Sequence, residues 1–416
     1  MSVECTQKII ELDFSNSSAA GYLNTNIQRG MEQGWEDFYL KTCLNAPGWP
    51  NICAPVAGVI DHYRRKGLDI ECSWVDDGSF LAHTNTHSPL IVRDYFDTSR
   101  LARPFGIVWK YNDSDEVKAL VDAVIREVLT KEIIEKGVSQ GVEWCLNETM
   151  DNVLQHSQAT YGYFMGTFTS SDKRLSICVF DNGVGIYNSL KNSKHLPASP
   201  LDAITLALKE GVTRDESVGQ GNGMWGLSEI VQNNDGQYVV ASSGASYSII
   251  NGRNQTNEQR SGVFYANEQR GAVLVDFQLN CSKQIDIVKA LHGHSPTQLW
   301  LEDLETPEGD DYVIRIAERS EGTGTRKAGA RIRNLAMNVL KEGNKRIVLD
   351  FSGINLVSSS YADELIGKLV AEIGFSIFNT FFLISGLSDL NRRVVDRSVQ
   401  QRMAQIYYDT IVPEGD

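Results

Sequence analysis

Glu148 and Asn152 stand four residues apart within NETMDNVLQHS, residues 147–157. On a helix that spacing puts both side chains on one face, while Trp144, Leu146, Met150, Val153 and Leu154 can turn to a core. A carboxylate beside an amide oxygen suits phosphoryl chemistry. The amide can ligate Mg²⁺, a hard cation held largely through substrate phosphates. The carboxylate can orient a water or hydroxyl for in-line attack on a γ-phosphate. The plainer alternative is an amphipathic helix with two solvated polar residues. Further on, RLSICVF (174–180) reads as a buried strand that runs into Asp181-x-Gly183-x-Gly185. Glycines there permit positive φ and close backbone approach, and an Asp at a strand end can accept a hydrogen bond from an exocyclic amine such as that of adenine. A common turn is the plainer reading. Last come Gly219-x-Gly221-x-Gly223 and an apolar segment, Met224 to Val231, that reads as a helix. Backbone N–H groups entering a helix N-terminus make an anion cradle; a surface loop is the alternative. Each motif alone is weak, and their order and spacing together are the strong signal.

These residues resemble the GHKL superfamily of gyrase-type topoisomerases, heat-shock-90 chaperones, MutL proteins, histidine kinases and anti-sigma serine kinases. Glu148-x-x-x-Asn152 is similar to its N-box, Asp181-x-Gly183-x-Gly185 to its G1 box and Gly219-x-Gly221-x-Gly223 to its G2 box, over about residues 111–280. The resemblance implies a Bergerat fold with ATP between helices and sheet. It also implies adenine recognition by Asp181, Mg²⁺ ligation by Asn152, Glu148 as general base, and a lid from about Tyr187 to Gln220. Two residues depart from the pattern. Ala272 stands where many members carry a threonine, and Trp225 is bulky for a phosphate loop. No histidine lies between His87 and His156, so a histidine kinase's phosphoacceptor helix is not evident.

A chain of 416 residues suggests two to four domains. Its 39 basic and 53 acidic residues give a net charge of −14, which argues against a general binder of nucleic acid or anionic membrane. The clusters YRRKG (63–67) and TRKAGARIR (325–333) read as solvated helix faces. The seven cysteines form no CxxC pair, and His292-Gly-His294 reads as a loop without zinc-ligating partners. The N-terminal MSVECTQKIIELD lacks the basic and apolar regions of a signal peptide, and no apolar run approaches the roughly 18 residues of a membrane span. The expectation is a reduced, cytoplasmic protein.

Four segments follow. Residues 1–110 read as an α/β domain: strands in KIIELDF and WEDFYLKTC, a helix from Ala54 to Lys66, then a strand from Leu68 to Trp74. It is faintly similar to the STAS or STAS-like fold. Residues 111–280 are the ATP-binding segment. A helix opened by the capping box Asp113-x-x-Glu116 leads to the one bearing Glu148. Gln237–Ser242, Ser246–Ile250, Gly262–Ala266 and Ala272–Leu279 read as antiparallel strands. Residues 281–307 read as a linker. In residues 308–416, DYVIRI, RIVLDF and TFFLIS alternate with helices, the pattern of a mixed sheet with crossovers.

The stretch IVLDFSGINLVSSSYADELIGKLV, with GTRKAG upstream, resembles the STAS-like family related to anti-anti-sigma factors. That resemblance implies Ser359 or Ser360 as phosphoacceptor for a GHKL kinase, although Ser-Ser-Ser-Tyr replaces the family's Asp-Ser-Ser-Gly and N-capping is the plainer role. The fold class is therefore α/β multidomain, a central Bergerat-fold sandwich flanked by small STAS-like domains. The function expected is a regulatory switch that binds ATP and Mg²⁺, hydrolyses ATP and controls regulatory protein partners through its STAS-like domains. A serine kinase acting on a STAS-like domain and a non-catalytic nucleotide-sensing scaffold are the alternatives. Neither nucleic acid nor membrane is an expected partner, and both resemblances allow a homodimer.

Overall fold

The computed structural model describes residues 7–42, 48–75, 78–191, 193–212, 222–261, 263–265, 268 and 270–411. The chain forms two compact units, one from residues up to 124 with 140–295, the other from 125–139 with 296 onward.

In the first unit, β1 (Lys8–Leu12), β2 (Asp37–Thr42) and β3 (Asp69–Cys72) form a parallel sheet in that order. The crossovers are α1 (Ala19–Glu32) and α2 (Pro50–Arg65). The sequence does not announce α1, because Gly21, Asn24, Asn26 and Gly30 are poor helix formers. Burial of Ala19, Ala20, Leu23 and Ile27 at helical spacing carries it instead.

An eight-stranded sheet follows, built from β4 (Leu90–Ile91), β5 (Trp109–Tyr111), β6 (Gly162–Thr169), β7 (Arg174–Asp181), β8 (Gln237–Ser242), β9 (Gly244–Ile250), β10 (Arg253–Ser261) and β11 (Val273–Asn280). Its order is β10-β9-β8-β11-β7-β6-β5-β4, antiparallel throughout except between β4 and β5. Of the strand expected at Gly262–Ala266, residues 262 and 266 lie outside the described residues and Tyr265 makes an isolated bridge to Arg270; β10, at Arg253–Ser261, is a wholly polar run with no apolar alternation to mark it.

Helix α2 ties residues before 110 to the large sheet. It packs on β6 and β7, and a side chain at Gly58 would bring Cβ within 2.5 Å of the Phe180 ring. Asp61 of the same helix accepts hydrogen bonds from Tyr163 Oη at 2.7 Å and Lys110 Nζ at 2.8 Å. Residues of α1, α2, β1–β3 and β6–β7 share one core. The N-terminal layer is thus part of the same compact unit as the Glu148 segment.

Val179, Val273 and Val275 point to the other face of the large sheet. Three helices continue the chain: α3 (Ser114–Lys131), α4 (Val138–Asn152) and α5 (Gly223–Asn233). Gly226 lets α5 close on α4, since a Cβ there would lie 2.4 Å from the Trp144 ring.

Asp276 alternates with the cavity-facing valines and so points to the α2 side of β11, paired with Cys178. Burial pushes its carboxyl up to about 7. The folded chain therefore holds a proton that the unfolded chain loses above its ordinary carboxylate pKa, and stability falls as pH rises from about 4 to about 7. Asp276→Asn is expected to raise thermal stability at pH 8, by about 1–3 kcal/mol, with the gain gone below pH 4. Thermal unfolding at the two pH values checks it.

The second unit has a parallel sheet β12-β13-β14 (Asp311–Arg315, Arg346–Asp350, Phe382–Ser385) rather than the mixed sheet expected. Helix α6 (Arg326–Glu342) joins β12 to β13, capped by Thr325, whose side chain accepts from Ala328 N at 3.2 Å. One side of α6 holds the segment that precedes α4. Asn338 Nδ2 donates to the carbonyls of Leu129 and Glu132, both at 2.8 Å, and Ile134 N donates to Asn338 Oδ1 at 2.9 Å. Arg331 pairs with Glu127 at 2.6 Å, and Glu342 accepts from Gly137 N at 2.7 Å. The stretch expected to be a linker, 281–307, carries two short helices and divides between the units after Ser295.

Ser358 caps the helical run that follows β13 by accepting from Tyr361 N at 3.1 Å, and it also pairs with Ser360 Oγ at 3.1 Å. Ser359 is exposed. Helix α7 (Asp389–Ile411) closes the described chain. Among the described residues no helix is long and apolar enough to cross a membrane.

Candidate functional site

Three stretches between α4 and α5 converge on one cavity of about 460 Å³ inside the first unit. Glu148 and Asn152 enter it from successive turns of α4, Asp181 from the end of β7, and Gly185 and Gly223 from the loop after β7 and the start of α5. A Cβ on Gly223 would lie 2.5 Å from Glu148 Oε2 and 3.4 Å from Asn152 Nδ2, so the bare backbone at the head of α5 seats both side chains. Gly219 and Gly221 lie outside the described residues. Of the expected lid, Ser189, Leu190, Ala207, Glu210 and Val212 line the cavity, and 213–220 lie outside the described residues.

Gly183 does not line the cavity; it makes the Asp181 turn. The Ser157 carbonyl approaches so closely that a Cβ at 183 would sit 2.2 Å from it. Gly183 N donates to Asp181 Oδ1 at 2.7 Å, and Val184 N donates to Ser157 O at 2.8 Å. Gly185 adopts φ +81°, which only glycine takes without strain, against Gly271 and Ser243. Ser157 itself ends a π turn, Val153–Ser157, that continues α4 directly after Asn152. Such turns occur at functional sites.

Asp181 is 3 % exposed, and burial pushes its carboxyl up to about 7, against the Gly183 hydrogen bond and the Arg270 charge that pull it down. Across β7–β11 it faces Val273, not Ala272, so its neighbour in register carries no hydroxyl. Ala272 joins the core shared with α2. Burial also raises Glu148, with the charge of Asp151 adding to it, and burial raises Asp151.

Several residues here escaped the sequence reading. Asp151 and His156 flank the Asn152 turn on the cavity wall. Asn182, 2 % exposed, ties the Asp181 turn to the N-terminal layer: its Nδ2 donates to Gly58 O at 2.8 Å, and its Oδ1 accepts from Tyr265 Oη. The Tyr111 hydroxyl is buried without a partner among the described residues, and Tyr111, Gly162 and Asp181 lie in one row across β5, β6 and β7. Nothing in the spacing of these residues signals that they meet, because the large sheet brings them together.

A surface of this kind offers a hard-oxygen donor in Asn152, carboxylates with raised pKa in Glu148 and Asp151, a buried acceptor in Asp181 and an open helix head at Gly223. Comparison with known proteins bears on the other unit. Residues 328–391 match the family model of a STAS-like domain of unknown function (DUF4325), within the C-terminal α/β unit. No curated protein matches the chain. The C-terminal unit thus contains a STAS-like domain.

Proposed function

We propose that the first unit is a Bergerat-type, GHKL-like ATP-binding module that needs Mg²⁺, and that it works as a regulatory switch acting on protein partners through the STAS-like unit. The observation that carries this reading is the convergence of Glu148, Asn152, Asp181 and Gly223 on one cavity. A volume of about 460 Å³ is within the usual range for small-molecule sites. Asp181 would accept the exocyclic amine of adenine at the closed end. Gly223 leaves room beside Glu148 and Asn152 where a side chain would fill it, which fits a phosphate with its metal. Bound Mg²⁺ would supply charge neutralisation at the phosphates. Asn152 Oδ1 would hold it. Glu148 would orient a water and take its proton, a role suited to a carboxyl whose pKa burial has raised.

The STAS-like unit would be coupled through chain continuity. Asn338, Arg331 and Glu342 grip residues 127–137, and the chain passes from there into α4 with Glu148 and Asn152. A second reading, transfer of phosphate to serine, is favoured by the exposure of Ser359 beside a capping Ser358.

The test is γ-labelled ATP with Mg²⁺, reading free phosphate and label on protein. Free phosphate supports hydrolysis, label on Ser359 or Ser360 supports a kinase, and neither signal with ATP bound leaves a nucleotide-sensing scaffold. Gly223→Ala sharpens the hydrolytic reading. Its methyl group displaces the Glu148 carboxylate, so turnover is expected to fall by about 10- to 100-fold. Folding should be kept, because alanine is the better helix former. Steady-state turnover and a melting curve on the same sample check both halves.

A further inference from the structure

Trp225, bulky for the head of a phosphate loop, and the His292-Gly-His294 turn form one structure. The indole is 8 % exposed and meets the His292 ring edge-on, centroids 4.8 Å apart. Leu291 packs beneath them where Gly226 lacks a side chain. The turn is strained to achieve this: His292 has φ +47° and Gly293 φ +101°, and Gly293 N donates to Val288 O at 2.7 Å. A left-handed non-glycine residue is retained where the surroundings need it. His292 Nδ1 lies 3.2 Å from Glu210 Oε2, with both side chains more than half exposed. His292 and His294 both line the cavity that holds Glu148, Asn152 and Gly223.

We propose that His292 is a phosphate-binding residue of this cavity, its ring edge offered to a phosphate oxygen of the bound nucleotide. The inference rests on the nucleotide reading above and deepens it. The groups that face the cavity around it are Glu148 and Asp151 on α4, Asp181 on β7, His156 after α4, and Glu210 and His294; Lys289 precedes it on its own turn. Carboxylates repel a triphosphate, so an imidazole of the wall is a side chain that its oxygens can use. Contacts made to phosphate alone leave adenosine indifferent to that residue.

The experiment is calorimetric titration of the full chain with Mg²⁺ and ATP, ADP or adenosine, for wild type and His292→Gln. The expected result is an affinity for ATP lower by about tenfold in the variant. Adenosine affinity should be unchanged, which also shows that the variant is folded. Equal ATP affinity in the two proteins would overturn the role of His292 and leave the nucleotide reading standing. Absence of binding by ATP and adenosine alike in the wild type would overturn both.

Discussion

Asp181→Asn is expected to weaken ATP binding by about 100-fold while making the ligand-free protein more stable. The substitution keeps shape and keeps an oxygen for the Gly183 N–H, now 2.7 Å from Asp181 Oδ1. It replaces the other acceptor, the one available to an adenine amine, by a donor that faces a donor. The stability gain follows from the carboxyl's elevation to about 7 by burial. An acid raised in the folded state costs stability once it must ionise there. That cost is absent below the unfolded pKa near 4, grows as pH rises, and is complete above about 7. Removing it should contribute about 2–4 kcal/mol at pH 8, less at pH 5 and nothing at pH 3.5. A site residue that binds ligand at the expense of the fold shows this opposition. A substitution that lost affinity because the fold was damaged would lower the melting temperature instead.

Glu148→Gln is expected to leave ATP affinity within about threefold and to lower any turnover by at least about 100-fold. Glutamine fills the same space next to Gly223 but cannot take a proton. In the wild type, burial first and the Asp151 charge second raise the Glu148 carboxyl. The acid limb of the pH–rate profile should therefore lie above the ordinary carboxylate range, with rate rising as pH rises through it. The variant's residual rate should lack that limb. Stopped-assay turnover from pH 5 to 9, with affinity measured alongside, separates loss of chemistry from loss of binding.

What was legible in the sequence was the set of short-range patterns. The i, i+4 pair Glu148 and Asn152 does share a face of α4, RLSICVF is β7, and the apolar run after Gly223 is α5. These depend on helix and strand periodicity, which a single chain displays. The STAS-like stretch was legible for the same reason, since β13 and the capped serine lie within a few residues of each other.

What was hidden depends on distant partners. Helix α1 is held by a buried face despite Gly21, Asn24 and Gly30, so local propensity pointed elsewhere. Gly58 lies against Phe180, far away in sequence, and no local pattern marks that approach. Asn182 read as a turn residue, yet its amide joins the Asp181 loop to α2 through Gly58, far away in sequence. The turn at 291–294 was rightly a loop, but its place on the cavity wall depends on Trp225 and Glu210, to which no spacing rule connects it. Asn338 of α6 holds the segment before α4, and no local pattern signals it.

The most direct measurement is a calorimetric titration of the full chain with ATP in the presence of Mg²⁺, wild type beside Asp181→Asn. One saturable site per chain is expected in the wild type, with a loss of affinity of about 100-fold in the variant. No binding by the wild type, or equal binding by the two proteins, would contradict it.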